Sequence, residues 1–202
     1  MNKLLGVVAA LALVLGIWAY EAFDTGAQKP AASAFSAITV FPAGRALPAI
    51  DFIDDTGAVV GPEIFRGGWT ILFMGFTNCG HLCPMTLAQV RMIADMAHEP
   101  VNVVFFSVDP GRDTPAVIRD YVKGFDESFV GLSAAPDEIR KLADALGAPY
   151  FVDPSPGNYV VDHASALFLI SPQGEFTGTV SQPFDRQLIA AELDQLPRPS
   201  GG

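Results

Sequence analysis

The sequence predicts an α/β fold, with a central mixed sheet flanked by helices and preceded by an N-terminal membrane anchor. First, apolar strand-like runs alternate with helix-like segments from about residue 47 onward, which is typical of an α/β sheet. Second, the last two strand-like runs flank the turn signal 171–174 and are expected to form an antiparallel hairpin at one edge. Third, an uncharged and almost entirely apolar run covers residues 4–20.

Composition limits the class of protein. The chain has 202 residues, of which 50% are hydrophobic, enough for one domain with a full core. Its formal net charge is −10 and its pI is about 4.5. This acidity argues against binding nucleic acid, because phosphates require basic patches, and against electrostatic adhesion to anionic lipid.

The N-terminal apolar run predicts a membrane segment. Residues 1–22 are interpreted as a transmembrane anchor or a signal segment, with Lys3 as a weak positive-inside signal. Either alternative takes the rest of the chain across a membrane, so we expect a membrane-anchored protein with its soluble domain in the periplasm or an equivalent compartment. Residues 23–40 are predicted to be a flexible linker. The folded domain is predicted at 41–197 and a disordered tail at 198–202.

The first half of the domain contains the clearest elements. Two short strands, 49–53 and 58–60, flank the turn signal Asp-Asp-Thr-Gly. The apolar run 69–76 is long enough for a strand buried on both faces. Pro84 suits the first turn of a helix, and apolar residues then recur at roughly helical spacing to about residue 97.

The second half repeats the alternation of strand and helix. Pro115 at a first helical position, Gly147 at a helix end and the Ser-Pro-Gln-Gly turn mark boundaries there. The predicted strands are 101–108, 129–132, 159–161, 166–170 and 175–180, and the predicted helices are 115–124, 133–146 and 184–193.

The two cysteines, Cys79 and Cys83, lie between the buried strand 69–76 and the following helix. This is the arrangement of thioredoxin, with its Cys-x-x-Cys widened by one residue. The positive end of a helix stabilises a thiolate, so we expect a lowered pKa for a cysteine at this place. The spacing allows a local disulfide or a two-thiolate clamp on a soft metal, which would need a third ligand from elsewhere.

Three histidines are candidates for that third ligand. His81 lies inside the cysteine loop, where its ring either points to solvent or acts as a ligand or modulator. His98 is at the far end of the helix, about 20 Å away, and is excluded. His163 precedes a predicted strand, where a hydrogen-bonded structural role is the ordinary alternative. Spacing alone therefore leaves the third ligand open.

Four ordered segments resemble one family. Residues 75–84, Gly-Phe-Thr-Asn-Cys-Gly-His-Leu-Cys-Pro, resemble the CxxxCP signature of the SCO/SenC family. Residues 107–115 resemble its SVDPxRDTP stretch, 159–165 its VDHS region and 170–176 its DPxGxF turn. The N-terminal anchor also matches the family's usual layout. The resemblance covers about residues 47–195, and four motifs in the right order are far more specific than the cysteine spacing alone.

The resemblance implies a thioredoxin-like fold that binds one copper ion through Cys79, Cys83 and His163. It implies a partner, the copper-centre subunit of cytochrome c oxidase or another copper protein, which the family serves as copper donor, as thiol reductant or as both. Soft thiolates favour Cu(I), whereas imidazole accepts both oxidation states. The chain departs from the family pattern at Gly80-His81, where many members have Pro-Asp, and at Ala164, where Ser is usual. These changes bear on copper affinity and redox potential.

Five other residues near the motifs are given a predicted role. Met74 is predicted to be core, and Met85 is a minor candidate for a weak copper ligand. Asp109 is expected to border the site or to mark a partner surface. Asp113 is expected to cap a helix or stabilise a turn, with Thr114 as the other cap candidate.

The sequence leaves three candidate functions. A membrane-tethered copper metallochaperone requires His163 together with both cysteines. A thiol-disulfide oxidoreductase requires only the redox-active dithiol of Cys79 and Cys83. A thioredoxin-fold peroxidase is disfavoured. A peroxidatic cysteine usually has a Thr-x-x-Cys setting with a nearby arginine, and the Cys-x-x-x-Cys spacing of this chain differs from it.

Overall fold

The structure is a computed structural model, and it describes residues 35–155 and 159–197. The predicted anchor (1–22), most of the predicted linker and the predicted tail (198–202) lie outside the described residues. Within the described ranges, no helix combines the length and the apolar character needed to span a bilayer.

The fold contains ten strands, four α-helices and one 3-10 turn among the described residues. The strands are β1 (Ile38–Ala46), β2 (Phe52–Asp54), β3 (Val59–Val60), β4 (Thr70–Gly75), β5 (Asn102–Ser107), β6 (Val130–Ala134), β7 (Tyr150–Asp153), β8 (Val160–His163), β9 (Leu167–Ile170) and β10 (Glu175–Val180). The helices are α1 (Leu82–Met96), α2 (Pro115–Lys123), α3 (Pro136–Leu146) and α4 (Arg186–Leu193), and the 3-10 turn is Pro62–Phe65.

Eight strands form one mixed sheet in the order β1-β10-β9-β4-β5-β6-β2-β3. β4, β5 and β6 are parallel neighbours, whereas the pairs outside them are antiparallel. β7 and β8 form a separate two-stranded antiparallel ribbon. The predicted mixed sheet flanked by helices is therefore confirmed, as is the hairpin of β9 and β10.

Strand β4 separates the two halves of the core. Ile71 and Phe73 face the side covered by α1, α2 and α4, whereas Leu72 and Met74 face the side covered by α3. Side chains alternate across a strand, so a continuous apolar run is what a strand covered on both sides requires. Met74 is 1% exposed on the α3 side, which confirms the prediction that it is a core residue.

Helix α1 carries the second cysteine on its buried face. Leu87, Val90 and Ile93 follow one another at intervals of three residues and are fully buried. Cys83 lies four residues before Leu87 and therefore faces the same side. The helix begins at Leu82 rather than at the predicted Pro84, so Cys83 belongs to its first turn.

Two strands were missed from the sequence, and one helix start was placed too early. Strand β1 was not predicted, and it overlaps the last three residues of the predicted linker, 38–40. Strand β7 was also missed. The helix predicted from Ser133 begins at Pro136, because 130–134 continue as a strand beside β5 and β2.

A buried carboxylate fixes the start of the described chain. Glu192 in α4 is 2% exposed and accepts hydrogen bonds from three consecutive backbone N–H groups. The nitrogen–oxygen distances are 2.6 Å from Ser36, 3.1 Å from Ala37 and 2.8 Å from Ile38. These bonds satisfy the buried charge and hold the chain against α4 as it enters β1.

Candidate metal centre

Three side chains from separate parts of the fold converge at the carboxyl end of β4. One ligand atom each from Cys79, Cys83 and His163 lie within 4.8 Å of one another. Cys83 Sγ and His163 Nε2 are 3.3 Å apart. Across residues 35–155 and 159–197, this is the one group of three or more His, Cys, Asp or Glu side chains close enough to hold a metal ion.

The two cysteines differ in exposure because only one belongs to the helix. Cys79 is half-buried in the loop, and Cys83 is 0% exposed in the first turn of α1. The N–H of Cys83 donates to Cys79 Sγ at 3.3 Å. First-turn N–H groups have no intrahelical acceptor, so the helix start provides this donor. Both thiols are free in the structure.

Burial dominates the acidity of Cys83. Desolvation raises the pKa of the Cys83 thiol far above its usual range, and the hydrogen bond from the Phe76 backbone only partly opposes it. The sequence-based expectation of a lowered pKa at the helix start is therefore wrong for this cysteine. Burial makes the Cys83 thiolate unfavourable in the absence of a cation. A bound metal ion would stabilise the thiolate, because its positive charge compensates for the lost hydration.

Hydrogen bonding and ring contacts orient His163. Its Nδ1 lies 2.9 Å from the carbonyl oxygen of Ala164, which only accepts, so Nδ1 carries the proton and the Nε2 lone pair faces Cys83. Burial lowers the pKa of His163, which favours the neutral ring. The rings of Phe73 and Phe76 meet the imidazole at steep angles with centroids 5.8 Å away. Neutral imidazole with this fixed tautomer is the form that binds metals.

Glycine is required where β4 ends beside the thiol. A Cβ at Gly75 would lie 2.8 Å from Phe105 Cε2 and 3.0 Å from Cys83 Sγ. Both distances are below ordinary van der Waals contact, so a larger residue would displace the sulfur or the ring.

The loop after β5 supports the cysteine loop through Asp113. This carboxylate is 2% exposed and accepts from the Thr77 N–H at 2.9 Å, the Thr77 hydroxyl at 2.6 Å and the Ser107 hydroxyl. Thr114, not Asp113, is the N-cap of α2, since its hydroxyl accepts from the Val117 N–H. The alternative cap candidate was therefore the correct one, and Asp113 has a supporting role that the sequence did not reveal.

Asp109 is buried rather than displayed to a partner. It is 0% exposed, and its carboxylate is bonded to the Tyr159 hydroxyl and, at 2.6 Å, to Arg112 Nε. The expectation of a partner surface is wrong for this side chain. From the sequence, no role was assigned to Tyr159 or Arg112. The only sequence feature that pointed to this cluster was the pair Asp109 and Arg112, three positions apart in one loop.

The remaining candidates lie outside the ligand group. The His81 side chain is exposed, and His81 is not one of the three converging residues. His98 pairs with Asp194 at 2.8 Å and its side chain is 91% exposed, in agreement with its exclusion. Met85 is 60% exposed in the first turn of α1.

Comparison with known proteins gives the family. The SCO1/SenC family model matches residues 44–198, more than three quarters of the chain. The chain belongs to the SCO1/SenC family. A protein of Stutzerimonas stutzeri is 30% identical over 164 residues, covering 79% of this chain and 80% of that protein. The mitochondrial SCO1 homolog 1 of Arabidopsis thaliana is 36% identical over 129 residues, covering 61% of this chain and only 39% of that protein.

Solved structures share the fold of this SCO1/SenC member. The crystal structure of Arabidopsis thaliana ScoI with copper bound has a TM-score of 0.68 and 31% identity, covering 73% of this chain and 95% of that one. The solution structures of apo Sco1 from Thermus thermophilus give a TM-score of 0.69 and 30% identity, covering 82% and 99%.

Proposed function

We propose that this SCO1/SenC protein binds one copper ion through Cys79, Cys83 and His163 and delivers it to another protein. The observation that carries the proposal is the convergence of the three ligand atoms within 4.8 Å. Two sulfurs and one imidazole nitrogen are a donor set for a soft ion, and Cu(I) is the soft ion best matched to thiolates. The Arabidopsis relative of known structure is described with copper bound, which supports the same cargo here.

The exposure of the site suits transfer rather than permanent storage. Cys79 and His163 are half-buried, whereas Cys83 is fully buried. A three-coordinate ion held in this way leaves one side open to thiolates from a partner. The buried sulfur retains the ion while the exposed ligands are exchanged.

The target that fits this family is the copper-centre subunit of cytochrome c oxidase, or another copper protein that receives its metal outside the cytoplasm. The uncharged run 4–20 supports a membrane tether, with the folded domain in the periplasm or an equivalent compartment. Tethering would keep the carrier close to a membrane-bound acceptor and raise its effective concentration there.

Copper titration of the full chain in detergent tests the proposal. We expect one copper per chain and, in the oxidised form, a sulfur-to-copper charge-transfer band. His163→Ala should weaken Cu(I) binding, measured in competition with a chromophoric chelator, by roughly 10–100-fold, because it removes one of three ligands. His98→Ala is the matched control, since His98 is exposed and contacts Asp194 instead. Equal affinities of the wild-type protein and His163→Ala would contradict the three-ligand site.

Thiol-disulfide exchange is the second candidate function. Cys79 favours it, because this sulfur is partly exposed and accepts the Cys83 N–H at a helix start, as an attacking thiolate would. Reduction of an oxidised partner dithiol would leave a disulfide between Cys79 and Cys83. In this function His163 is dispensable, so reductase activity that survives in His163→Ala while copper binding is unchanged would favour exchange over delivery.

A further inference from the structure

The ribbon that carries His163 is weakly tied to the rest of the fold. Among the described strands, β8 pairs with β7 alone, and neither belongs to the eight-stranded sheet. Backbone ladder bonds therefore fix β8 to β7 but do not fix the ribbon against the cysteine loop. Apart from the short link 164–166 to β9, the distance between His163 and the thiols therefore depends on side-chain contacts.

A buried carboxylate supplies one such contact at the start of β8. Asp109, which is 0% exposed, accepts a hydrogen bond from the hydroxyl of Tyr159, the residue immediately before β8. Its other oxygen binds Arg112 Nε at 2.6 Å. Hydrogen bonds to a buried, ionised group are among the strong ones in proteins, so this bond can define where the ribbon begins.

Arg112 connects the same point to the cysteine loop. Its guanidinium carbon lies 3.7 Å from the centroid of the Tyr159 ring and 5.8 Å from that of Phe76. Phe76 is the first residue after β4, and its ring also meets the His163 imidazole. The arginine is thus placed between the segment that carries the histidine and the segment that carries the cysteines.

We propose that Tyr159, held by Asp109, is a positioning residue that sets the His163 imidazole against the two thiols. The inference rests on the proposed copper binding at this site. Loss of the hydroxyl releases the start of β8, so that Nε2 spends less time within bonding range of the metal. The two cysteines are held by α1 and by Asp113, so their share of the binding is unchanged. The Cu(I) affinity of a variant that lacks the Tyr159 hydroxyl should therefore fall toward that of His163→Ala but not below it.

A double-mutant cycle tests this mechanism with Cu(I) and a chromophoric competitor. The four proteins are the wild type, Tyr159→Phe, His163→Ala and the double variant. Tyr159→Phe should weaken Cu(I) binding roughly tenfold, as removal of a group that orients a metal ligand does, and should have no further effect in the His163→Ala background. Tyr150→Phe is the matched control: Tyr150 lies on the same ribbon, but its hydroxyl makes only a long, exposed bond of 3.4 Å to the Pro136 carbonyl instead of a bond to a buried carboxylate. We expect that control to bind as the wild type does.

X-ray absorption gives a readout that a purely structural role would not change. In Tyr159→Phe the imidazole scattering should decrease while the two copper–sulfur contacts remain. Asp109→Asn leaves an acceptor oxygen for the hydroxyl, so it should weaken Cu(I) binding in the same direction by a smaller factor, and it serves as the second variant if Tyr159→Phe folds poorly.

Two results would overturn the inference. One is a wild-type Cu(I) affinity and an intact imidazole signal in Tyr159→Phe. The other is an equal loss of affinity from Tyr159→Phe with and without the His163 imidazole. A wild-type protein that binds Cu(I) no better than His163→Ala would instead end the proposed function itself, so the two failures are distinguishable.

Discussion

Replacing Asp113 by alanine should destabilise the fold and loosen the copper site together. The change leaves three donors without their acceptor: the N–H and hydroxyl of Thr77 and the hydroxyl of Ser107. A hydrogen bond to a charged group contributes about 1.5–3 kcal/mol, and bonds that share one acceptor are not additive. Since Ser107 can reorient its hydroxyl, we expect a loss of about 3–4 kcal/mol in the free energy of unfolding.

The assay is equilibrium urea unfolding of the apo protein at pH 7, followed by circular dichroism. Asp137→Ala is the control, because its side chain is 88% exposed in the first turn of α3 and its loss should change stability by no more than about 0.5 kcal/mol. Thr77 lies two residues before Cys79, so Asp113→Ala should also weaken Cu(I) binding, whereas the control should not. A loss below about 1 kcal/mol would refute the idea that this carboxylate holds the cysteine loop.

Three further outcomes follow from the structure. Gly75→Ala should cost about 1–3 kcal/mol in urea unfolding and weaken Cu(I) binding, because the added methyl meets Phe105 and Cys83 Sγ; unchanged stability and affinity would contradict the close approach. In the apo protein, iodoacetamide should label Cys79 well before Cys83, because Cys83 is buried and burial raises its pKa. Equal labelling rates, measured by mass spectrometry, would refute this difference in exposure. Desolvation acts to raise the pKa of Glu192, but the three N–H bonds outweigh it and lower this pKa below its ordinary value of 4.5. The stabilisation that Glu192 provides is therefore present above pH 4.5 and is lost as the pH falls through the folded pKa. Glu192→Gln should therefore unfold more easily by about 1–2 kcal/mol at pH 7, with a gap that closes in acid, and a gap independent of pH would be inconsistent with a charged acceptor.

Local patterns predicted the elements that hold the cysteines. The continuous apolar run of β4 and the helical spacing of α1 were visible because each depends on burial over a few neighbouring residues. Strand β1 was not visible: its burial is concentrated at Ile38, Pro42 interrupts its strand-like sequence, and its partner β10 lies about 140 residues away. Edge strands of this kind are defined by the sheet they join and tolerate proline.

The same distinction applies to the site. Cys79, Cys83 and His163 were assigned from a family resemblance, since spacing alone left the third ligand open. The pKa of Cys83 was predicted from the helix start and is raised by burial, because the packing of α1 on the sheet outweighs the local field. The bond between Tyr159 and Asp109 joins residues 50 positions apart and has no sequence signature.

The hydrogen bonds from residues 36–38 to Glu192 also determine which part of the fold would bear a mechanical load on the chain. A pull applied to the described chain at Phe35 is resisted by the bonds to this carboxylate on α4 and by the outermost strand, β1. Two strands, β10 and β9, separate β1 from β4, so about 14 Å of hydrogen-bonded sheet lies between that load and the strand that leads into the cysteine loop. A load applied at Phe35 is therefore borne by α4 and the outer strands before it reaches the loop that contains Cys79.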